Sequence, residues 1–234
     1  MSATVSRVEI SRFGALAETW WDPSGPMRAL HAMNPTRVGW IAERIQRRFG
    51  PAPVPLLDVG CGAGIAAEAL ARRGFAVTGL DASAELIAAA EAHAEAQGVS
   101  VTYRQGAPED LLAEGARFSV VVALEVIEHV PEPEVFLKTL ANLVMPGGLV
   151  FLSTLNRTFR SFLAAKVGAE YVLRWLPIGT HEWRRFLTPQ ELGALLTKAG
   201  LRLADITGLR PSLRTPTWQT TRDLSINYLV CAEA

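Results

Sequence analysis

Short apolar runs alternate with longer stretches of helical periodicity through most of the chain. Runs at 55–59, 76–80, 101–104, 119–123, 149–153, 201–207 and 226–231 have strand length and are bounded by glycine, proline or polar turns. Helical patterns fit between them at 65–73, 84–97, 133–144 and 189–199. The last of these opens on Thr188-Pro189-Gln190-Glu191, with Thr as cap, Pro at the first helical position and Glu three residues on. Such alternation predicts an α/β fold: a Rossmann-like, doubly wound, seven-stranded and mostly parallel sheet with helices on both faces. The final connection, through Pro211 and Pro216, carries no helical pattern, so the C-terminal strand is expected to return antiparallel. The proline-rich stretch 51–55 separates an N-terminal helical extension, 1–50, from the strand-bearing domain, 51–234.

The end of the first predicted strand reads Asp58-Val59-Gly60-Cys61-Gly62-Ala63-Gly64, and the second ends in Asp81. Glycines let the chain turn tightly and let a ligand lie against bare main chain at a helix start. An acid about 20 residues after the first glycine stands where a carboxylate reaches a ribose hydroxyl. Loop and acid together point to an adenosine-containing cofactor; the bland alternative is a tight turn and a surface Asp. The nicotinamide pattern G-x-G-x-x-G fails at Ile65. Gly60-x-Gly62-x-Gly64 preceded by Asp58 instead resembles the first motif of class I S-adenosylmethionine-dependent methyltransferases, whose sheet also ends in an antiparallel strand. By that resemblance Gly60, Gly62 and Gly64 line the S-adenosylmethionine site, Asp81 takes the ribose hydroxyls, and the 1–50 extension covers the cofactor.

Composition narrows the class. A chain of 234 residues with 49% hydrophobic content buries one sizeable core. Its 23 basic and 23 acidic residues cancel, so no global field recruits nucleic acid. Cys61 and Cys231 lack metal-type or disulfide-type neighbours, and Cys61 has no base nearby in sequence to make it a nucleophile; both suit a reducing cytosol. The polar N-terminus reads as no secretory leader, and no run approaches about 18 uninterrupted apolar residues, so no membrane span is expected.

After the fourth predicted strand comes Leu124-Glu125-Val126-Ile127-Glu128-His129. On one helical turn Glu125 shares a face with Glu128 and His129. Such a set can hold a hard divalent ion such as magnesium, or it can be an exposed acidic turn; chemistry leaves both open. The runs LEVIEHV (124–130), TLNR (154–157), VGAEY (167–171), GTH (179–181) and ITGL (206–209) are similar to the ubiquinone-biosynthesis O-methyltransferases, from about Phe13 to Tyr228. That family methylates catechol hydroxyls of polyprenylated rings. The resemblance implies a divalent metal, magnesium, on Glu125, Glu128 and His129, cofactor contacts at Leu124 and Arg37, and His129 as general base should the metal be absent. Stretch 213–222 has no counterpart in the pattern.

A segment inserted at about 157–186 carries apolar residues at helical spacing, with Arg157, Arg160, Lys166 and Arg174 among them over 157–176. A basic amphipathic helix of this kind reads as a helix lying on an anionic membrane surface, or as a packed helix or pocket lid. With a polyprenylated catechol as the implied substrate, the expectation is a cytoplasmic enzyme peripherally attached to the inner membrane, in company with other ubiquinone-biosynthesis proteins. The competing readings are a methyltransferase with another small-molecule acceptor and a non-catalytic cofactor-binding scaffold.

Overall fold

The computed structural model describes residues 4–51, 53–162, 183–212 and 217–234. The N-terminal part holds α1 (Arg7–Gly14), a 3-10 turn (Ala17–Thr19) and the long α2 (Arg28–Phe49). The sheet region then runs β1 (Pro55–Val59), α3 (Ile65–Ala71), β2 (Ala76–Asp81), α4 (Ala84–Gln97), β3 (Thr102–Gln105), α5 (Pro108–Ala113) and β4 (Phe118–Leu124). A 3-10 turn (Ile127–His129), α6 (Pro133–Leu143), β5 (Val144–Leu155) and the single turn α7 (Phe159–Ser161) follow. A 3-10 turn (Trp183–Arg185), α8 (Pro189–Lys198), β6 (Arg202–Pro211), β7 (Trp218–Thr221) and β8 (Asn227–Glu233) complete the described chain.

The strands form one sheet in the order β3-β2-β1-β4-β5-β8-β6-β7. Strands β1 to β5 pair in parallel, and β8 inserts antiparallel between β5 and β6. The described residues form eight strands where seven were expected. The addition is β7, which pairs only with the end of β6, from Gly208 opposite Thr221 to Pro211 opposite Trp218. Helix α5 was also not expected; six residues are too few to display a helical period. Most of the amphipathic segment 157–186 lies outside the described residues.

Side chains alternate across the sheet, so the apolar strands β1 and β4 feed two cores. Leu56, Val120, Val122 and Phe151 pack on one face with Ile41 and Ile45 of α2 and Leu70 of α3. Leu57, Val121, Val150 and Leu152 pack on the other with Leu137 and Leu140 of α6 and Leu192 and Leu196 of α8. Complete burial of Phe151 contributes about 1.5–3 kcal/mol. Because α2 supplies one of these layers, the sequence boundary at residue 50 does not divide the core. The segment that stands apart as a roof is α1 and the turns leading to α2.

Candidate active site

A cavity of about 750 Å³ opens at the carboxyl ends of β1, β2, β4 and β5, where ligands bind in sheets of this type. The N-terminal segment closes it from above through Glu9, Phe13, Trp20, Met27 and Met33.

The glycine loop is anchored by Gly60 and Cys61, whose N–H groups donate to Leu80 O at 2.7 and 3.1 Å. Gly60, Gly62 and Gly64 all take left-handed backbone, with φ of 68°, 56° and 94°. Each is also crowded by protein. A Cβ on Gly60 would stand 2.6 Å from Val126 Cγ2, one on Gly62 2.4 Å from Trp20 Cζ2, and one on Gly64 2.1 Å from the Tyr103 hydroxyl. Gly60 and Gly62 line the cavity, whereas Gly64 caps α3 outside its wall. Cys61 packs buried inside the loop, and burial pushes its thiol well above the ordinary range, which removes it as a nucleophile. Asp81 accepts from Gly62 N and from Ser83 N, both at 2.9 Å, so it braces the loop as well as facing the cavity. Burial raises its pKa, and these backbone donors offset part of the rise.

Two opposite charges meet beside the loop. Arg37, on α2, is 3% exposed; its Nε donates to Asn34 Oδ1 at 3.0 Å while Nη1 has no partner. Asp58, at the end of β1, is 2% exposed with Oδ2 unpaired. Burial lifts the Asp58 pKa to about 7, against the pull of Arg37. Buried charges with free hydrogen-bonding atoms cost stability unless a ligand completes them. Asp58 was visible in the sequence as the acid preceding the glycines, but it was not read as a binding residue.

Leu124 ends β4, is buried, and lines the cavity. The turn after it is not one α-helical turn. Glu125 takes φ 56°, a left-handed conformation for a non-glycine residue, and a 3-10 turn follows. Glu125 N–H donates to Ser153 O and to Ser153 Oγ, each at 3.1 Å, and Ser153 Oγ in turn donates to Glu125 Oε1 at 2.6 Å. Glu128 is buried with Oε2 unpaired; burial first and then the Glu125 charge raise its pKa. His129 Nδ1 lies 3.0 Å from Glu9 Oε2, and Phe13 meets the imidazole edge-on at 5.1 Å. Burial lowers the His129 pKa, but the Glu9, Glu128 and Glu125 carboxylates outweigh it, and the net shift is upward.

Glu128 and His129 feel each other's charge and that of Glu125. Ser153 engages Glu125, Glu9 lies beside His129, and no three His, Cys, Asp or Glu side chains among the described residues are grouped to hold a metal ion.

Sequence reasoning laid the 1–50 extension over the cofactor but did not single out the side chains that fasten it. Trp21 Nε1 donates to Ala63 O at 2.9 Å, and its ring stacks on His93 at 3.4 Å between centroids and 5° between planes. His93 Nδ1 in turn lies 2.7 Å from the buried Glu68 carboxylate. Trp20 consequently lies over Gly62. The Trp20-Trp21 pair was the only local signal, and it does not say what the rings cover.

This architecture recurs in solved structures. Magnesium protoporphyrin IX methyltransferase from Synechocystis PCC 6803, crystallised with bound SAM, superposes with a TM-score of 0.65 at 19% identity over 100% of this chain and 99% of that one. An S-adenosylmethionine-dependent methyltransferase from Clostridium acetobutylicum gives 0.66 at 11% identity over 94% and 98%. Fold and glycine loop thus define a class I methyltransferase. A methyltransferase-domain family profile matches residues 33–206. Ubiquinone biosynthesis O-methyltransferases from Methylobacterium nodulans and Caulobacter vibrioides are 47% and 45% identical to this chain, each over 98% of it and over 96% and 94% of their own lengths. The chain belongs to the ubiquinone biosynthesis O-methyltransferase family.

Proposed function

We propose that this protein transfers a methyl group from S-adenosylmethionine to a catechol hydroxyl of a polyprenylated ubiquinone precursor. The observation that carries the reading is that one cavity is lined by Arg37 and Asp58, with Nη1 and Oδ2 unpaired beside the glycine loop, and by His129 next to the Glu9 carboxylate. Arg37 Nη1 and Asp58 Oδ2 fit the α-carboxylate and α-ammonium of the cofactor's amino-acid part, and Asp81 fits its ribose. Gly60, Gly62 and Leu124 give it a close wall, and Gly64 acts by starting α3.

S-adenosylmethionine supplies a methyl group on a sulfonium leaving group, already activated. The chain must then position the acceptor oxygen, exclude water and take a proton. Glu9 Oε2 stands 3.0 Å from Nδ1 and stabilises the imidazolium by its charge, so neutral His129 removes the proton from the hydroxyl to be methylated and is held as it charges. The roof of Phe13, Trp20 and Met27 keeps water out. Incubation with labelled cofactor and a panel of short-chain catechols tests the reading; a folded protein that binds S-adenosylhomocysteine but methylates none of them refutes it.

Glu128 Oε2 is buried without a partner and interacts with Glu125 and His129; a divalent ion held by the three would lower the pKa of a catechol bound to it, in place of His129 as base. Exhaustive chelation, confirmed by metal analysis, separates the two: turnover that survives leaves His129 as the base, and loss of turnover with rescue by magnesium assigns the metal.

For the membrane, support comes from charge and aromatic pattern. Phe159 is 71% exposed and stacks on Phe162 at 6.4 Å, beside Arg160, while no described helix is long and apolar enough to cross a bilayer. A surface-lying segment near 157–176 would bring the enzyme to its lipid substrate and to neighbouring ubiquinone-biosynthesis proteins. Cosedimentation with anionic vesicles should fall when Arg160 and Lys166 become Glu, since each basic residue near such a surface contributes on the order of 1 kcal/mol. Wild-type protein that ignores vesicles of every composition would end this part of the proposal.

A further inference from the structure

Part of the cavity wall is apolar and comes from α2 and the C-terminal strands: Met33 of α2, Leu155 of β5, Leu209 of β6, Trp218 of β7, and Ile226. Ser212, Thr217 and Asn227 are polar residues on the same stretch of lining. Asn227 lines the cavity, is 4% exposed, and its Oδ1 has no hydrogen-bond partner. Its Nδ2 reaches only Met33 Sδ, at 4.0 Å, a weak acceptor at the limit of contact. A buried carbonyl oxygen left unpaired is rare and marks a place where a ligand or water completes it.

The topology puts this oxygen at the same edge of the sheet as the turn that carries His129. Strand β8 runs antiparallel, so its first residue, Asn227, pairs with Leu155, the last of β5. Asn227 thereby stands at the carboxyl edge of the parallel strands. Two residues before Leu155, Ser153 holds Glu125, at the start of the turn that carries His129. We infer that Asn227 recognises the acceptor ring, its Oδ1 accepting a hydrogen bond from a ring hydroxyl held beside the apolar part of the cavity wall. This inference rests on the proposed function and specifies how that reaction chooses its substrate.

The chemistry says which hydroxyl. An amide oxygen repels a phenolate, so it does not serve the oxygen that gives up its proton to His129. It accepts from the neighbouring hydroxyl, which stays protonated. Asn227 therefore selects rings with two adjacent hydroxyls over rings with one, as a site built around a hydroxyl rejects the analogue that lacks it. The apolar walls suit a ring bearing a hydrocarbon substituent. Strand β7, unforeseen in the sequence, completes that wall through Trp218, whose carbonyl accepts from Thr36 Oγ1 of α2 at 2.7 Å.

The test compares a short-chain catechol with the matching monohydroxy phenol, on wild type, on Asn227→Leu, which keeps the size but removes the amide, and on Asn227→Asp, which keeps an acceptor. Wild type should show a KM for the catechol on the order of tenfold below that for the phenol. Asn227→Leu should raise the catechol KM to the phenol's value with kcat less affected, and Asn227→Asp should recover part of the difference. Calorimetry should find S-adenosylhomocysteine binding unchanged in both variants, with catechol binding to the loaded protein weakened in Asn227→Leu. Wild type that fails to discriminate catechol from phenol overturns the inference without any variant, and so does an Asn227→Leu protein that discriminates as wild type does. Wild type that binds S-adenosylhomocysteine but methylates neither compound overturns the proposed function and this inference together.

Discussion

Asp58 and Arg37 carry opposite charges on neighbouring elements, and each keeps an atom free for a ligand. Asp58→Asn keeps the shape and removes the charge, and Arg37→Met removes the guanidinium. Each should weaken S-adenosylhomocysteine by roughly 1.5–3 kcal/mol, or about 10- to 150-fold, read by calorimetry on variants with unchanged circular dichroism. Because burial sets the Asp58 pKa at about 7 and a bound ammonium favours its ionised form, affinity in the wild type should rise with pH through that value. Asp58→Asn should flatten the rise. A different sign rule governs the Glu9–His129 pair. Glu9 has its pKa lowered by His129, so its contribution to stability is complete above the ordinary 4.5 and is lost as pH falls through the lowered value. His129 has its pKa raised, so its contribution is complete below the ordinary 6.5 and is lost as pH rises through the raised value. The contact that docks α1 on the site is therefore strongest between those ordinary values, while catalysis needs neutral His129 and should climb above them. Glu9→Gln should move the acid limb of the kcat profile to lower pH, because a charge that stabilises imidazolium is gone. An unmoved limb would show that His129 does not titrate in turnover.

At the scale of elements, the roof packs Trp20 and Met27 against Ile65 of α3 and Leu86 of α4. Trp21 contributes one hydrogen bond to Ala63 and one stacked ring on His93, together worth about 1–3 kcal/mol of docking. Trp21→Ala should loosen the segment that puts Trp20 over Gly62, and S-adenosylhomocysteine should dissociate on the order of tenfold faster in stopped-flow fluorescence. Gly62→Ala should have the stronger effect, since it meets Trp20 and also strains left-handed backbone. A roof irrelevant to the ligand would leave both off-rates at the wild-type value. Asp81 is a joint between elements as well as a binding residue: it accepts from the glycine loop and from the start of α4 at once. Its loss disturbs the loop before it disturbs any ribose contact.

The whole molecule is a sheet buried on both faces, with chemistry confined to one edge. Phe151, in the middle of β5, touches the layer formed by α2, and Trp40 meets it edge-on at 5.9 Å. Phe151→Ala should cost about 3–5 kcal/mol and lower the melting temperature by roughly 6–20 °C, measured by calorimetric scanning. A drop of a degree or two would mean that α2 closes the gap. Along the active edge, charged and polar groups gather at β1 and β2 and the apolar chamber lies at β5, β8, β6 and β7. On the proposed function, cofactor and acceptor approach from different halves, and substitutions at one end should leave affinity for the other ligand unchanged.

Local chemistry was enough for much of this. The apolar run at 55–59 is β1 as it stands, and Ser83 and Gly98 bound α4 at the residues where the pattern begins and ends. Asp81 closes β2 because the strand stops at the loop it binds. These features depend on side-chain period, turn residues and caps, all of which lie within a few residues of one another. Strand β7 escaped because Trp218–Thr221 is four residues with no partner but the end of β6, and its identity as a strand exists only in the pairing. The left-handed Glu125 escaped because three hydrogen bonds with Ser153, 28 residues away, hold it there. Glu9 beside His129, Trp20 over Gly62 and Asn227 opposite Leu155 are all contacts between separate elements. The sequence by itself determined the layered sheet, the place of the glycine loop and its acid, and the family. Only tertiary packing decided which charges stay unpaired, what the imidazole leans on and where the acceptor end lies, because those depend on distances between elements that no local pattern encodes.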